Sequence, residues 1–417
     1  MKNHKYMLMI VVAGAFSAAF ATGLPTNGLQ AHFRADHVGR VLTANNVAPT
    51  HGEDVYSWTT EPGVDSPLTL VAIANNPLWQ ANAFRRADGT YRPAIRFIRD
   101  IDNSADRKDA KNKAINRMIL ASTETTTLNL GPQTTWFLVM NYLANQNGCR
   151  VFGFGADSPR FGAFVLGGTP DNRLRLHNNN DPGAKSVLTM SPGAYLVDSR
   201  EDGSHMTCAS NGFEAVNFNQ TSEARSTPDT FYLGRMITEN DTARFDAAEL
   251  IVYNRALNDA EMRIVRNALA VRWGLPCADL LWTGAAAGFC DDLAGIGSSL
   301  ATGDGRIAGA VNTSASSGGL VLSVSSGALD GTDGYLLVAH DGNSAKMAWS
   351  ESDGFLRVTR TWRTETTLSS VPAVTFAFDL AELGVGSATV RLLYRESARR
   401  GFGDAFNRCF RRGRRQL

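Results

Sequence analysis

The chain has 417 residues, 41 Lys and Arg against 40 Asp and Glu, and an apolar fraction of 43%. That length suits two domains at roughly 100–200 residues each, and so much apolar sequence excludes wholesale disorder. A formal net charge of +1 argues against a dedicated nucleic-acid binder, while 39 Gly against 14 Pro favour a turn-rich β-protein.

Residues 1–21 read as a secretory signal. Lys2 and Lys5 form the basic start, Met7 to Phe20 is mostly apolar, and Ala19-Phe20-Ala21 offers a small-x-small cleavage site ahead of Thr22. The apolar run is about 14 residues, short of the roughly 20 that a spanning helix needs. No later segment is long and apolar enough to span a bilayer, so the expectation is a secreted or cell-surface protein.

From about 28 to 275 short β-patterned runs alternate with turn signals. Thr135 to Tyr142, Val151 to Phe154 and Phe161 to Leu166 are strand candidates, and Arg173-Leu-Arg-Leu-His177 alternates as a half-buried strand should. Asn211-Gly212 is a strong turn signal, because both residues tolerate positive φ. One helix closes this region. Asn258 and Glu261 fit a capping box, Met262, Val265, Leu269 and Trp273 share a face, and Gly274 and Pro276 stop it. Arg263, Arg266 and Arg272 fall on the opposite face, which the sequence predicts to be solvated.

From Cys277 the composition shifts towards Gly, Ser and Ala, and a second β-domain is read over 276–397. Its strands include Gly318 to Val324, Tyr335 to Val338, Phe355 to Trp362, Val374 to Phe378 and Ala388 to Tyr394. Alternation stops after Glu396, as if the last strands were cut short. Residues 398–417 then form an Arg-rich tail, with seven Arg and one Asp from 399 onward, read as a disordered end or a frame-shifted gene end. Without leader and tail, residues 22–398 hold 32 basic and 39 acidic residues, a mildly acidic body of net charge −7.

Several motifs carry a resemblance. Phe231-Tyr-Leu-Gly-Arg235, then Ala247-Ala-Glu-Leu-Ile-Val-Tyr-Asn-Arg-Ala-Leu257 and the capped helix, resemble the C-terminal end of laminin-G-like domains of the concanavalin A-like lectin/glucanase superfamily. His32 to Asp36, Ser57-Trp58, Arg92 to Phe97 and the hairpin from Asp202 to Gly212 agree more loosely. Asp292 to Gly297, Gly334 to Asp341 and Arg357 to Arg363 resemble an uncharacterised β-domain that trails such modules in large bacterial surface proteins. The resemblance implies an all-β fold: a laminin-G-like jelly-roll sandwich with one closing helix, followed by a second, truncated β-sandwich. It implies location and company rather than a chemistry. The leading reading is a non-catalytic adhesion or binding role, with carbohydrate or a surface protein as partner, because a rigid sandwich presents variable loops at its rim.

The enzymatic alternative, a glycoside hydrolase, requires two carboxylates about 5–5.5 Å apart if retaining. No Glu-x-Asp-x-x-Glu run is present, Asp198, Glu201 and Asp202 lie beside a turn where charge is expected to be solvated, and no catalytic residue is assigned. A third reading is an architectural spacer. For sugar binding, Trp58, Trp79 and Tyr91 are the aromatic candidates. Asp100, Asp102, Asn103 and Asp106 are the candidates for calcium, whose hard cation suits oxygen ligands in a turn; no other cofactor is implied. Of five cysteines none forms a CxxC pair. Cys277 with Cys290 and Cys149 with Cys208 are the disulfide candidates, one of three connectivities once Cys409 is set aside.

Overall fold

The computed structural model describes residues 9–14, 23–64, 67–74, 76–97, 119–122, 130–143, 149–154, 163–166, 173–177, 185–219, 231–234, 244–303, 305–311, 314–344, 347–350, 355–379 and 383. The strands of the first half are β1 (Met9–Gly14), β2 (Leu29–Arg34), β3 (Val41–Leu42), β4 (Ser57–Thr59), β5 (Thr69–Ala74), β6 (Leu78–Arg85), β7 (Tyr91–Phe97), β8 (Ile119–Ser122) and β9 (Thr134–Tyr142). There follow β10 (Cys149–Arg150), β11 (Phe152–Phe154), β12 (Ala163–Leu166), β13 (Arg173–His177), β14 (Lys185–Thr189), β15 (Gly193–Glu201), β16 (His205–Ser210), β17 (Phe213–Asn219), β18 (Phe231–Leu233) and β19 (Phe245–Tyr253). After helix α1 (Asp259–Trp273) come β20 (Asp291–Ser299), β21 (Gly309–Val311), β22 (Ser314–Ser317), β23 (Leu320–Ser323), β24 (Gly334–His340), β25 (Met347–Ser350), β26 (Phe355–Val358), β27 (Trp362–Thr366) and β28 (Val374–Asp379). The all-β class expected from the sequence is what the structure has.

Two sheets form the first sandwich. One runs β17-β16-β15-β9-β19-β7-β6, with β2 also on β19; the other runs β11-β18-β8-β5-β4-β3. Aromatic rings join them: Phe33 meets Trp58 at 5.3 Å between centroids, and Trp136 meets Phe152 at 5.4 Å. Nothing in β19 alternates, because all nine of its residues are buried. One of its faces meets the opposing sheet and the other meets α1, so the strand is covered twice and even Asp246 and Glu249 are buried.

The helix ends fall where the sequence puts them. Asn258 accepts from the Glu261 amide and the Glu261 side chain accepts from the Asn258 amide. Gly274 closes the helix at φ 68°, and a Cβ there would lie 2.4 Å from the Arg85 carbonyl oxygen. Only glycine fits both the left-handed backbone and that approach. Gly274→Val is therefore expected to cost about 2 kcal/mol or more, read as a lowered urea midpoint; an unchanged midpoint would mean the β6–β7 hairpin yields freely.

The predicted solvated arginine face is a correction. Arg272 is buried, Arg266 is largely covered, and the Arg263 guanidinium lies 5.3 Å from the Tyr335 ring centre. The reasons are Asp198 and Glu249 of the first sandwich, which take up Arg266 and Arg272, and a second sandwich that meets Arg263 and Arg272. Its sheet β21-β20-β24-β27 turns Leu293, Tyr335, Leu337 and Ala339 towards the core around α1. The alternate residues Ala294, Ile296, Leu336 and Val338 pack with Leu320, Leu322, Val374 and Phe376 of the sheet β1-β28-β23-β22. Gly295 and Gly297 keep β20 close to its neighbour: a Cβ would come 2.5 Å from Leu337 Cδ2 and 2.4 Å from Tyr335 Cδ1. One apolar core thus runs across residue 275, and α1 belongs to both sandwiches.

Candidate functional site

Most residues singled out in the sequence are placed in the interior. Trp58 is 0% exposed and donates from Nε1 to the Arg34 carbonyl at 3.2 Å, and Trp79 is 4% exposed. Neither ring can stack on a ligand arriving from solvent, which corrects the sequence expectation; Tyr91 remains at 54% exposure. Cys208, Cys277 and Cys290 are free thiols, so the Cys277–Cys290 bridge is absent and Cys208 has no disulfide partner. Cys277 instead donates to Asp279 at 2.9 Å, and burial pushes the Cys277 thiol up to about 12 and that of Cys290 to about 11. The Cys149 side chain and the whole of Asp100, Asp102, Asn103 and Asp106 lie outside the described residues. Among the described residues no group of three or more His, Cys, Asp or Glu side chains could hold a metal ion.

Asp198 and Glu201, expected to be solvated, are buried. Asp198 receives two hydrogen bonds from Arg266, at 2.7 and 2.9 Å. Burial opposes the Arg266 charge, yet Asp198, by charge and hydrogen bond, holds its pKa well above the ordinary arginine value.

The densest chemistry lies where α1 crosses both sandwiches. Glu249 on β19 is fully buried and accepts from Arg272 at 2.7 Å and from Trp273 Nε1 at 2.6 Å, with His32 Nε2 at 2.6 Å. Arg272 reaches on to Asp292 at 3.2 Å, which also contacts His340 at 3.2 Å and Arg34 at 3.7 Å. Arg34 and Arg92 hold Asp36, and Arg92 and Arg86 hold Asp291. Burial alone would raise the Glu249 carboxyl; Arg272, His32 and Arg34 override it and bring it down to about 2. Against burial, Asp36 is likewise held well below the carboxylate range by Arg34 and Arg92, and Asp292 by its hydrogen bond with His340 and then by Arg272 and Arg34. Glu249, Asp36 and Asp292 are ionised acceptors clamped by basic side chains. None of these three has the raised pKa that a general acid needs. Asp292 sits at φ 46°, a left-handed backbone uncommon for aspartate, which turns its carboxylate into the cluster.

A second arrangement faces solvent on the edge of the β3–β4–β5 sheet. Tyr56 is 41% exposed, while Val55 before it and Trp58 after it are fully buried. Its amide donates to the Leu42 carbonyl and its carbonyl accepts from the Ala72 amide, each at 2.8 Å, so the backbone is fixed on both sides. Beyond Leu42 a turn closed by the Thr43 amide and the Val47 carbonyl presents Val47; beyond Ala72 comes Ile73. Val47 is 56% and Ile73 47% exposed. Asp54, two residues before Tyr56, accepts from Asn76 Nδ2 at 3.3 Å, and Asn46 in the turn adopts φ 57°. Tyr56, Val47 and Ile73 are therefore exposed on backbone segments bonded to one another, with the Asp54–Asn76 pair two residues before Tyr56. Sequence reasoning passed over Tyr56 because strand alternation would set it on the same face as Trp58. The strand begins only at Ser57, so that alternation does not extend to Tyr56.

No family model matches the chain, and no curated protein does. Several solved structures are similar in part. Domain 4 of AbnA, a GH43 extracellular arabinanase from Geobacillus stearothermophilus in complex with arabinotriose, is 13% identical over 56% of this chain and 95% of its own, with a TM-score of 0.31. Trypanosoma rangeli sialidase is 15% identical over 57% of this chain, which spans about a third (32%) of the sialidase chain, at a TM-score of 0.30. The binding domain of Botulinum neurotoxin DC in complex with SialylT is 9% identical over 83% of this chain and 72% of its own, at 0.40. At these identities and scores none of those ligands carries over. The class that fold and site define is an all-β protein of two sandwiches joined through a shared helix, with its strongest charges turned inward. No helix among the described residues is long and apolar enough to cross a membrane.

Proposed function

We propose that the chain is an exported, non-catalytic carbohydrate-binding module of the laminin-G-like kind, with the rim around Tyr56 as its sugar-facing surface. The observation that carries this reading is the exposed Tyr56 on a backbone held from both sides, with Val47 and Ile73 exposed on the adjoining segments. An aromatic side chain on a fixed backbone presents an apolar platform at reduced entropic cost, and polar groups such as Asp54 and Asn76 give direction and specificity. Glu249, Asp36 and Asp292 are clamped as structural acceptors, and Asp198, which burial pushes upward, is taken up by Arg266; neither arrangement resembles the free proton-keeping carboxyl of a retaining pair.

A glycan array on the folded chain followed by calorimetry tests it. Tyr56→Ala is expected to weaken the best array ligand at least tenfold while Tyr91→Ala leaves it unchanged. Equal binding by wild type and Tyr56→Ala would overturn the site, and release of reducing sugar from a polysaccharide panel would overturn the non-catalytic role.

A further inference from the structure

In the outer sheet of the second sandwich, β28 pairs antiparallel with β23 on one side. On its other side it pairs, in parallel, with β1. Six residues are in register, from Met9 opposite Val374 to Gly14 opposite Asp379. β1 lies wholly inside the segment that the sequence predicts to be a removable leader. The edge of β28 is therefore covered by the one strand of this sheet that processing would take away. Hydrolysis of the Ala21–Thr22 peptide bond, by a signal peptidase and one water, frees β1 and leaves the mature chain starting at Thr22. Its first described residue, Gly23, is pinned beside this sheet: a Cβ there would lie 2.9 Å from the Ser316 carbonyl oxygen and 3.0 Å from Ala294 Cβ. Leu24 is buried.

We infer that the β28 edge of the mature protein is a strand-accepting surface, filled by an extended, uncharged, aliphatic segment of another polypeptide laid parallel to β28. The chemistry of the occupant is read from β1 itself, MIVVAG: no charge, no proline, and small residues at its C-terminal end. An open row of backbone N–H and C=O groups is a template for such a strand. Val374 and Phe376 beneath it belong to the second core and gain cover when the edge is filled. Parallel pairing fixes the direction in which the donor enters.

The test uses residues 22–417 and the whole chain, with a fluorescent peptide carrying MIVVAG between lysines for solubility. Residues 22–417 are expected to bind it one to one, with slowed hydrogen exchange at the amides of 374–379. A peptide with proline in place of the residues matching Val11 and Ala13 is expected to bind at least tenfold more weakly. The whole chain, its edge already filled, is expected not to bind. Equal binding by the whole chain would overturn the inference. So would amides of 374–379 in residues 22–417 that are already protected without peptide, whether through a downstream segment or self-association, or that stay exposed with it.

Discussion

Arg272→Met is expected to destabilise the protein by about 3 kcal/mol or more, because it leaves the fully buried Glu249 and the partly covered Asp292 without their shared cation. Arg272 is one of the largest fully buried side chains, and its guanidinium bridges β19 to β20 through those two carboxylates. The loss should appear in urea unfolding as a lowered midpoint with little change in slope. Adding Glu249→Gln to Arg272→Met removes one stranded charge while keeping an acceptor for Trp273, and about half of the loss should return. A double variant no more stable than the single one would place the cost in packing rather than in charge.

Acid should act on the same cluster. Glu249 takes up its proton near 4.5 when free and near 2 in the folded chain, and Asp36 and Asp292 are displaced in the same direction. As pH falls through that window the unfolded chain binds protons that the folded chain refuses, so unfolding gains. Stability from these groups is complete above the ordinary carboxylate range and is lost progressively towards pH 2. Glu249 alone accounts for about 3 kcal/mol of it. Urea midpoints at pH 6, 4 and 3 should fall in that order, and Glu249→Gln should flatten the decline. A wild-type midpoint unchanged down to pH 3 would mean that water reaches the cluster.

What the sequence discloses follows from how local each feature is. The capping box at Asn258 and Glu261 and the stop at Gly274 are made by residues within one turn, so they are legible. The fate of Arg266 and Arg272 is not, because an amphipathic pattern marks a polar face without saying whether water or carboxylates meet it. Asp198 lies 68 residues from Arg266, and Asp292 lies 20 residues beyond Arg272. Trp58 and Trp79 illustrate the same limit: a tryptophan near a turn suits a ligand platform or a core equally well until the opposing sheet is known. Tyr56 went unseen because its exposure depends on where a short strand begins. The cysteines failed as a disulfide framework because spacing does not determine side-chain approach: Cys277 turns to Asp279, and Cys290 lies 3.5 Å from an Asp88 oxygen.

The position of α1 also decides how the molecule would carry load. In chain order the helix lies between β19 and β20, so tension drawn from one sandwich to the other must pass through its backbone. Its flanks are fastened to both: Trp273 and Arg272 to Glu249, Arg266 to Asp198, and Arg272 to Asp292. Three of these fastenings keep the helix on the first sandwich, so pulling the sandwiches apart would load the Arg272–Asp292 pair and the apolar contact of α1 with Leu293, Tyr335 and Leu337 before the helix itself comes away.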